Sequence, residues 1–201
     1  MSPKRSIPLI FVLLTLGAGG PHDAGALAQE MRPAARILVG ELRGPITPVT
    51  VEYVGMAVEK AAQEGYGLLV FEMDTPGGLV VSTEAIIQKI LGATVPVAVL
   101  VTPGGAQAAS AGLYIANAAD IIAMAPGTRI GAGHPVSIAP GTDNKKEESA
   151  RDLMGEKVEN DLAASVRSIA TQRKRNAVVY ERMVRESISL AVGELVGRVN
   201  R

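Results

Sequence analysis

The sequence predicts an α/β fold built from repeated strand–turn–helix units. From residue 36 onward, short apolar runs alternate with amphipathic segments, and glycine pairs at Gly77-Gly78 and Gly104-Gly105 separate several of them. The chain has 201 residues, of which 47% are hydrophobic and 20% are charged. Such a chain can bury the core of one domain but is too short for two large ones. A single domain is therefore expected after the amino-terminal segment.

Periodicity defines the elements of the first half. Residues 47–64 place Val51, Val54 and Val58 on one stripe, which is the spacing of a helix that buries one face. Residues 68–73 are apolar apart from one glutamate, which is typical of a largely buried strand. The predicted order is a strand over residues 37–42, the helix over 47–64, the strand over 68–73 and an amphipathic helix after Gly78.

Strand, turn and helix recur in the second half. An apolar strand over residues 95–101 leads through Gly104-Gly105 into an alanine-rich helix, predicted from about residue 107 to 118. Residues 121–124 are predicted to form a third buried strand.

The pattern is then interrupted. Glycine, proline and charged residues replace it between residues 127 and 152, which predicts a variable loop or lid over about residues 133–151. Apolar residues return at helical spacing over residues 152–175, and a final helix is predicted over about residues 178–187.

The amino terminus has the pattern of a secretory signal peptide. Lys4-Arg5 precedes an apolar stretch over residues 7–16, and Ala26-Leu27-Ala28 offers the small-x-small sequence that signal peptidases cut. The apolar stretch is shorter than the ~20 residues of a membrane-spanning helix, so a permanent anchor is the weaker alternative. We expect a signal peptide over residues 1–28 and one exported, periplasmic or extracytoplasmic domain over residues 29–201.

Composition excludes several kinds of chemistry. Twenty basic residues balance twenty acidic ones, so the overall charge does not predict a nucleic-acid partner. The chain has no cysteine, which excludes disulfides, thiolate nucleophiles and thiolate metal ligands. Of its two histidines, His22 lies in the predicted signal peptide, and His134 alone does not make a usual metal site. No metal or cofactor is expected, which leaves hydroxyl, amine, imidazole and carboxylate groups for catalysis.

The glycine pairs and a serine among small residues mark the candidate site. Backbone N–H groups at a strand-to-helix junction can bind developing negative charge, although a lone glycine pair is more simply explained as a tight turn. Ser110 lies in the segment over residues 104–112, where almost every neighbour is small, so a substrate backbone could approach its hydroxyl. A serine in such a segment is otherwise often only a helix-packing residue.

Two segments together resemble a known superfamily. Asp74-Thr75-Pro76-Gly77-Gly78-Leu79 and Ala108-Ala109-Ser110-Ala111-Gly112, each at a predicted strand-to-helix turn, resemble the paired signatures of the Clp peptidase and signal-peptide-peptidase superfamily. Residues 124–132 and His134-Pro135-Val136 are similar to the NfeD family of membrane-associated serine proteases. The resemblance covers about residues 37–190. It implies a Clp/crotonase-like α/β spiral that cleaves apolar peptide or protein segments, with a stomatin-like membrane protein as partner, and that forms a dimer or higher oligomer.

The resemblance also assigns roles within the site. It implies that Ser110 is the nucleophile, that Lys157 is its base, and that the backbone N–H groups of Gly78 and Ala111 form the oxyanion hole. A serine hydroxyl becomes a good nucleophile when a nearby base takes its proton, and a lysine amine can do so only in its neutral form. Carboxylates near this lysine in sequence favour its charged form, which cannot accept a proton. They are Glu156, Glu159 and Asp161.

Other interpretations of the same residues remain open. His134, 24 residues after Ser110, is the alternative base, and Asp143 or Asp152 could orient it as in a catalytic triad. A crotonase-type acyl-CoA enzyme would use the same N–H groups for an enolate without Ser110, although a secretory signal argues against coenzyme A. A catalytically silent peptide-binding scaffold of the same fold is the third possibility.

Overall fold

Seven strands and five helices form the part of the chain that the computed structural model describes, residues 36–135 and 145–191, with side chains described from residue 155 in the fourth helix. In chain order they are β1 (Ile37–Arg43), α1 (Pro48–Gln63), β2 (Leu68–Asp74), α2 (Val80–Leu91), β3 (Val97–Val101), β4 (Gln107–Ala109), α3 (Ala111–Ala118), β5 (Ile121–Met124), β6 (Arg129–Gly131), α4 (Lys145–Gln172), α5 (Ala177–Arg185) and β7 (Ser189–Ala191). The predicted signal peptide and its cleavage site lie outside these residues.

The larger sheet has the strand order β1-β2-β3-β5, and all its strands are parallel. Phe71 at its centre pairs with Gly40 on one side and Val99 on the other. Parallel neighbours require crossover connections, which α1, α2 and α3 supply. The predicted α/β class is confirmed, and the carboxyl ends of the strands lie along one edge.

A smaller sheet contains β4, β6 and β7, and it corrects one predicted element. Residues 107–109 were expected to begin the alanine-rich helix, but they form β4, and α3 begins only at Ala111. The Thr75 N–H donates to the Gln107 carbonyl at 2.8 Å, and the Ala109 N–H donates to the Thr75 carbonyl at 3.1 Å. Pairing with a distant segment thus overrides the helix propensity of alanine.

Two further expectations were wrong in part. The stretch without periodicity over residues 127–152 contains β6, and the loop predicted over about residues 133–151 contains the first turns of α4, which begins at Lys145; residues 136–144 lie outside the described part of the chain. The strand over residues 121–124 is not buried throughout, because it lies at the edge of the larger sheet and Ile121 is 52% exposed. Its run of apolar residues does not distinguish a central strand from an edge strand.

Helix α3 lies in the core, and every one of its residues is buried. Its small residues allow close approach, since a Cβ added to Gly112 would lie 2.6 Å from Thr75 Cγ2. Leu113 and Ile115 fill the space around it and are fully buried. The start of this helix is therefore held by dense packing. Within the described residues, no helix is both long and apolar enough to cross a bilayer.

Candidate active site

The structure places Ser110 at the turn between β4 and α3, as the residue that precedes the first helical position. Its backbone has φ 50° and ψ −115°, a region that non-glycine residues seldom occupy. The Ser110 N–H donates to the Gly131 carbonyl at 3.0 Å, which ties this turn to β6. A serine on a sharp strand-to-helix turn with a strained backbone is the geometry of a nucleophile elbow.

Gly77 and Gly78 are required by close contacts as well as by the turn. A Cβ on Gly77 would lie 2.6 Å from Ser110 Cβ and 3.0 Å from Ser110 Oγ, and Gly77 has φ +118°. A Cβ on Gly78 would lie 2.2 Å from the Ile46 carbonyl oxygen. The buried Thr75 hydroxyl accepts a hydrogen bond from the Gly77 N–H at 3.1 Å and so supports the turn. The explanation of this glycine pair as a tight turn alone is therefore insufficient.

Two backbone N–H groups next to Ser110 are available to a ligand. Gly78, Ser110 and Ala111 all line one cavity of about 110 Å³. Among the described residues, neither the Gly78 N–H nor the Ala111 N–H donates a hydrogen bond to another protein group. The Ala111 N–H also lies at the start of α3, where the helix dipole favours negative charge. The structure thus brings together a hydroxyl and two free donors.

The walls of the cavity come from α2, α3, α4 and the segment after β6. Most of the lining is apolar or weakly polar, and it includes Val80, Thr83, Ile87, Leu162, Ser165 and Pro135. Two lining side chains are carboxylates, Glu84 on α2 and Asp161 on α4. Such a cavity can accept an apolar segment next to the Ser110 hydroxyl.

Tyr114 links α3 to one wall of the cavity. It lies four residues after Ser110, one turn along α3, and its hydroxyl donates to the Gly133 carbonyl at 2.6 Å. Burial, together with the charge of Glu159, raises the pKa of this hydroxyl, so it stays protonated and continues to donate. Sequence reasoning missed Tyr114, although its spacing of four residues from the serine was a usable signal.

Lys157 lies outside the cavity lining. Its side chain is exposed and, within the described residues, it makes no hydrogen bond or ion pair. Asp161 and Ser165, four and eight residues later on α4, do line the cavity. Because residues four apart share a helix face, Lys157 lies on the cavity-facing side of α4, one turn beyond the lining.

His134 lies next to the cavity but is not among the described residues that line it. Gly133 and Pro135 on either side of it line the cavity, whereas the His134 side chain is 44% exposed and its Nδ1 lies 3.8 Å from Glu159 Oε2. The carboxylates expected to orient it are not described, since Asp143 and the side chain of Asp152 lie outside the described part of the chain. Glu159 is the carboxylate that pairs with it, and Arg185 lies 3.7 Å from the same group.

Among the described residues, no group of three histidine, aspartate or glutamate side chains is arranged to hold a metal ion.

Comparison with known proteins identifies the family of this chain. The family model for the NfeD1b N-terminal domain matches residues 42–196. Membrane-bound protease PH1510 of Pyrococcus horikoshii is 34% identical over 158 residues, which cover 79% of this chain and 34% of that protein. Membrane protein NfeD1b of Bacillus subtilis is 38% identical over 85 residues, which cover 42% of this chain and 18% of that protein. The chain thus spans about a third or less of the curated relatives it matches.

Solved structures agree with this relationship. A serine-to-alanine mutant of the 1510-N membrane-bound stomatin-specific protease of P. horikoshii matches with TM-score 0.71 and 31% identity, over 81% of this chain and 76% of that chain. A lysine-to-alanine mutant of the same protease in complex with a substrate peptide matches with TM-score 0.70 and 32% identity, over 81% and 72% of the two chains. ClpP1 from Listeria monocytogenes, at 20% identity and TM-score 0.56, over 78% of this chain and 84% of that chain, supports the Clp-like fold alone. The resemblance seen in the sequence is therefore confirmed, and this chain belongs to the NfeD family, of which it contains the N-terminal domain.

Proposed function

We propose that this domain is a serine peptidase in which Ser110 is the nucleophile. The observation that carries the proposal is the arrangement at the start of α3, where a serine at φ 50° shares a cavity with two N–H groups that donate to no other described residue. Oxyanion stabilisation by such donors is usually a large part of catalysis in acyl transfer. The relative PH1510, whose N-terminal domain is also the solved 1510-N structure, is named as a protease and supports the proposal.

The proposed reaction has two stages. Ser110 Oγ attacks the carbonyl carbon of a peptide bond and gives its proton to the neutral amine of Lys157, while the N–H groups of Gly78 and Ala111 bind the oxyanion. The intermediate collapses as the C–N bond breaks, and the lysine ammonium protonates the leaving amine. Water then attacks the acyl-enzyme with the same amine as base, which releases the acid and restores the Ser110 hydroxyl.

The role of Lys157 rests on its position on α4 and on the relative. Its flexible four-carbon stem allows the amine to approach the cavity from one turn away. The 1510-N protease was solved both as a serine-to-alanine and as a lysine-to-alanine mutant, the latter with a substrate peptide, which supports a pair of these residue types.

The proposed substrates are apolar segments of membrane-associated proteins, such as a stomatin-like partner. The apolar lining of the cavity favours such segments, and the similar protease is described as stomatin-specific. We further propose that the protein acts on the extracytoplasmic side of a membrane, in keeping with relatives described as membrane proteins.

Two linked experiments test the proposal. Fluorophosphonate labelling of the purified domain, followed by peptide mapping, is expected to find the label on Ser110. Cleavage of an apolar peptide is expected to fall by at least about a thousandfold in both Ser110→Ala and Lys157→Ala, since residues that act as one unit are not additive. His134→Ala should retain activity within about tenfold, because its side chain is directed at Glu159.

Lys60→Ala is the control for removal of a lysine, because this exposed side chain on α1 pairs with Glu64, the residue after the helix, and does not line the cavity. An active Lys157→Ala protein together with an inactive His134→Ala protein would replace the lysine dyad with a histidine base. A wild-type domain that binds the peptide, takes no label and cleaves nothing would be a silent scaffold.

A further inference from the structure

Two carboxylates in the described part of the chain line the cavity. Glu84 reaches it from α2 and Asp161 from α4, and both side chains are exposed. Among the described residues, neither carboxylate has an ion pair or a hydrogen bond to another side chain. Among the lining residues that the structure describes, none is a lysine or arginine. The mouth of the cavity therefore carries negative charge that the described protein does not neutralise.

The apolar walls near these carboxylates strengthen the electric field that a ligand in the cavity experiences. Apolar walls next to charges of one sign focus the electric field into a cleft, and here the walls include Val80, Ile87 and Leu162. Lys157 lies outside the lining of the cavity. A cationic side chain in the bound segment would be attracted, whereas an anionic one would be repelled.

We propose that this cavity selects apolar segments that carry a lysine or arginine, and that Glu84 and Asp161 determine this preference. The inference rests on the proposed function, since it takes the cavity as the peptide site. The substrate class is thus narrowed from apolar segments in general to apolar segments that carry a basic residue.

Peptide binding to the Ser110→Ala protein tests the charge preference without cleavage of the peptide. The probes are fluorescein-labelled decapeptides of valine, leucine and alanine in which one residue is lysine, glutamine or glutamate, with that residue moved along the peptide. At low ionic strength, fluorescence anisotropy is expected to show the lysine peptide binding about tenfold more tightly than the glutamate peptide, with glutamine between them. At about 0.5 M salt the ratio should shrink towards one, because salt screens the interaction between exposed charges.

Charge-neutralising variants identify the source of the preference. Glu84→Gln and Asp161→Asn, each combined with Ser110→Ala, are expected to lower the lysine-to-glutamate ratio by about threefold. Glu59→Gln is the matched control, because this exposed carboxylate lies near the end of α1 and outside the cavity lining. It should leave the ratio unchanged.

The outcomes separate the two proposals. Equal binding of the three peptides at low salt, or a ratio that the Glu84 and Asp161 variants do not alter, overturns the charge preference while the peptidase proposal stands. Failure of every peptide to bind overturns both. Because the salt series uses no substitution at either carboxylate, it tests the preference even if a variant folds poorly.

Discussion

At the scale of single residues, the backbone of Ser110 is the feature on which the site depends. A non-glycine residue at positive φ costs on the order of 1–3 kcal/mol and persists only when its surroundings hold it. Here the Ser110 N–H is bonded to the Gly131 carbonyl at 3.0 Å, and Gly77 packs directly against the serine side chain. Any side chain at residue 77 would displace the hydroxyl that this backbone presents.

Gly77→Ala tests this contact. The added Cβ would lie 2.6 Å from Ser110 Cβ, and φ +118° is unfavourable for alanine. We expect the free energy of unfolding in urea to fall by about 3 kcal/mol or more, from overpacking and backbone strain together. Fluorophosphonate labelling of Ser110 should be lost as well.

Gly105→Ala separates the cost of backbone strain from the cost of the contact with Ser110. Gly105 also has positive φ, at +90°, but an added Cβ would meet no atom within 4 Å. This control should therefore show only the left-handed backbone cost, about 1–2 kcal/mol, and should keep its labelling at Ser110. If both variants lose stability equally, the contact with Ser110 is not what requires glycine at residue 77.

At the scale of elements, α3 is held at both ends. Its first turn is linked to the cavity wall by Tyr114, and its carboxyl end is bound by Arg175 from the turn between α4 and α5. The Arg175 guanidinium donates to the Asn117 carbonyl at 2.5 Å and to the Ala119 carbonyl at 2.7 Å. Burial lowers the pKa of Arg175, although a guanidinium remains charged in proteins. A cation at a helix carboxyl end also stabilises the helix dipole.

Arg175→Met is expected to lower the free energy of unfolding by about 3 kcal/mol, because buried carbonyls at the end of α3 lose a charged donor. Urea denaturation measures the change. Arg182→Met is the matched control, since its exposed ion pair with Glu186 on the protein surface should contribute little. Equal effects of the two variants would show that the contact with α3 is not stabilising.

At the scale of the whole molecule, two sheets hold the site together. The larger sheet carries the Gly77-Gly78 turn after β2, the smaller one carries Ser110 after β4, and the bridge between Thr75 and Ala108 joins them. The site thus forms only when segments far apart in sequence have paired.

A prediction at this scale concerns the mature protein. Export from a bacterial host is expected to yield a chain that begins at Gln29, because the Ala26-Leu27-Ala28 pattern follows a short apolar stretch. Amino-terminal sequencing of the exported fraction checks this, and a retained Met1 there would contradict it.

Light scattering of the same sample is expected to give a dimer or higher oligomer, and a strict monomer would contradict that proposal.

Much of the element order follows from local pattern alone. Apolar spacing predicted β1, α1, β2 and α2 with small errors at their ends, since these segments bury one face or both in a regular repeat. The resemblance to the NfeD family was also carried by short motifs, and it is confirmed. Ser110 is a candidate on the same basis.

Tertiary contacts decided the rest. The extended conformation of residues 107–109 depends on pairing with Thr75, more than thirty residues upstream. Local sequence preferences do not predict a pairing between residues so far apart. The need for glycine at residue 77 comes from Ser110, and the role of Tyr114 comes from the Gly133 carbonyl. The sequence by itself determined the alternation of strands and helices, because apolar periodicity is local. Only the folded structure decided which residues meet around the cavity, because such contacts form between segments that are distant along the chain.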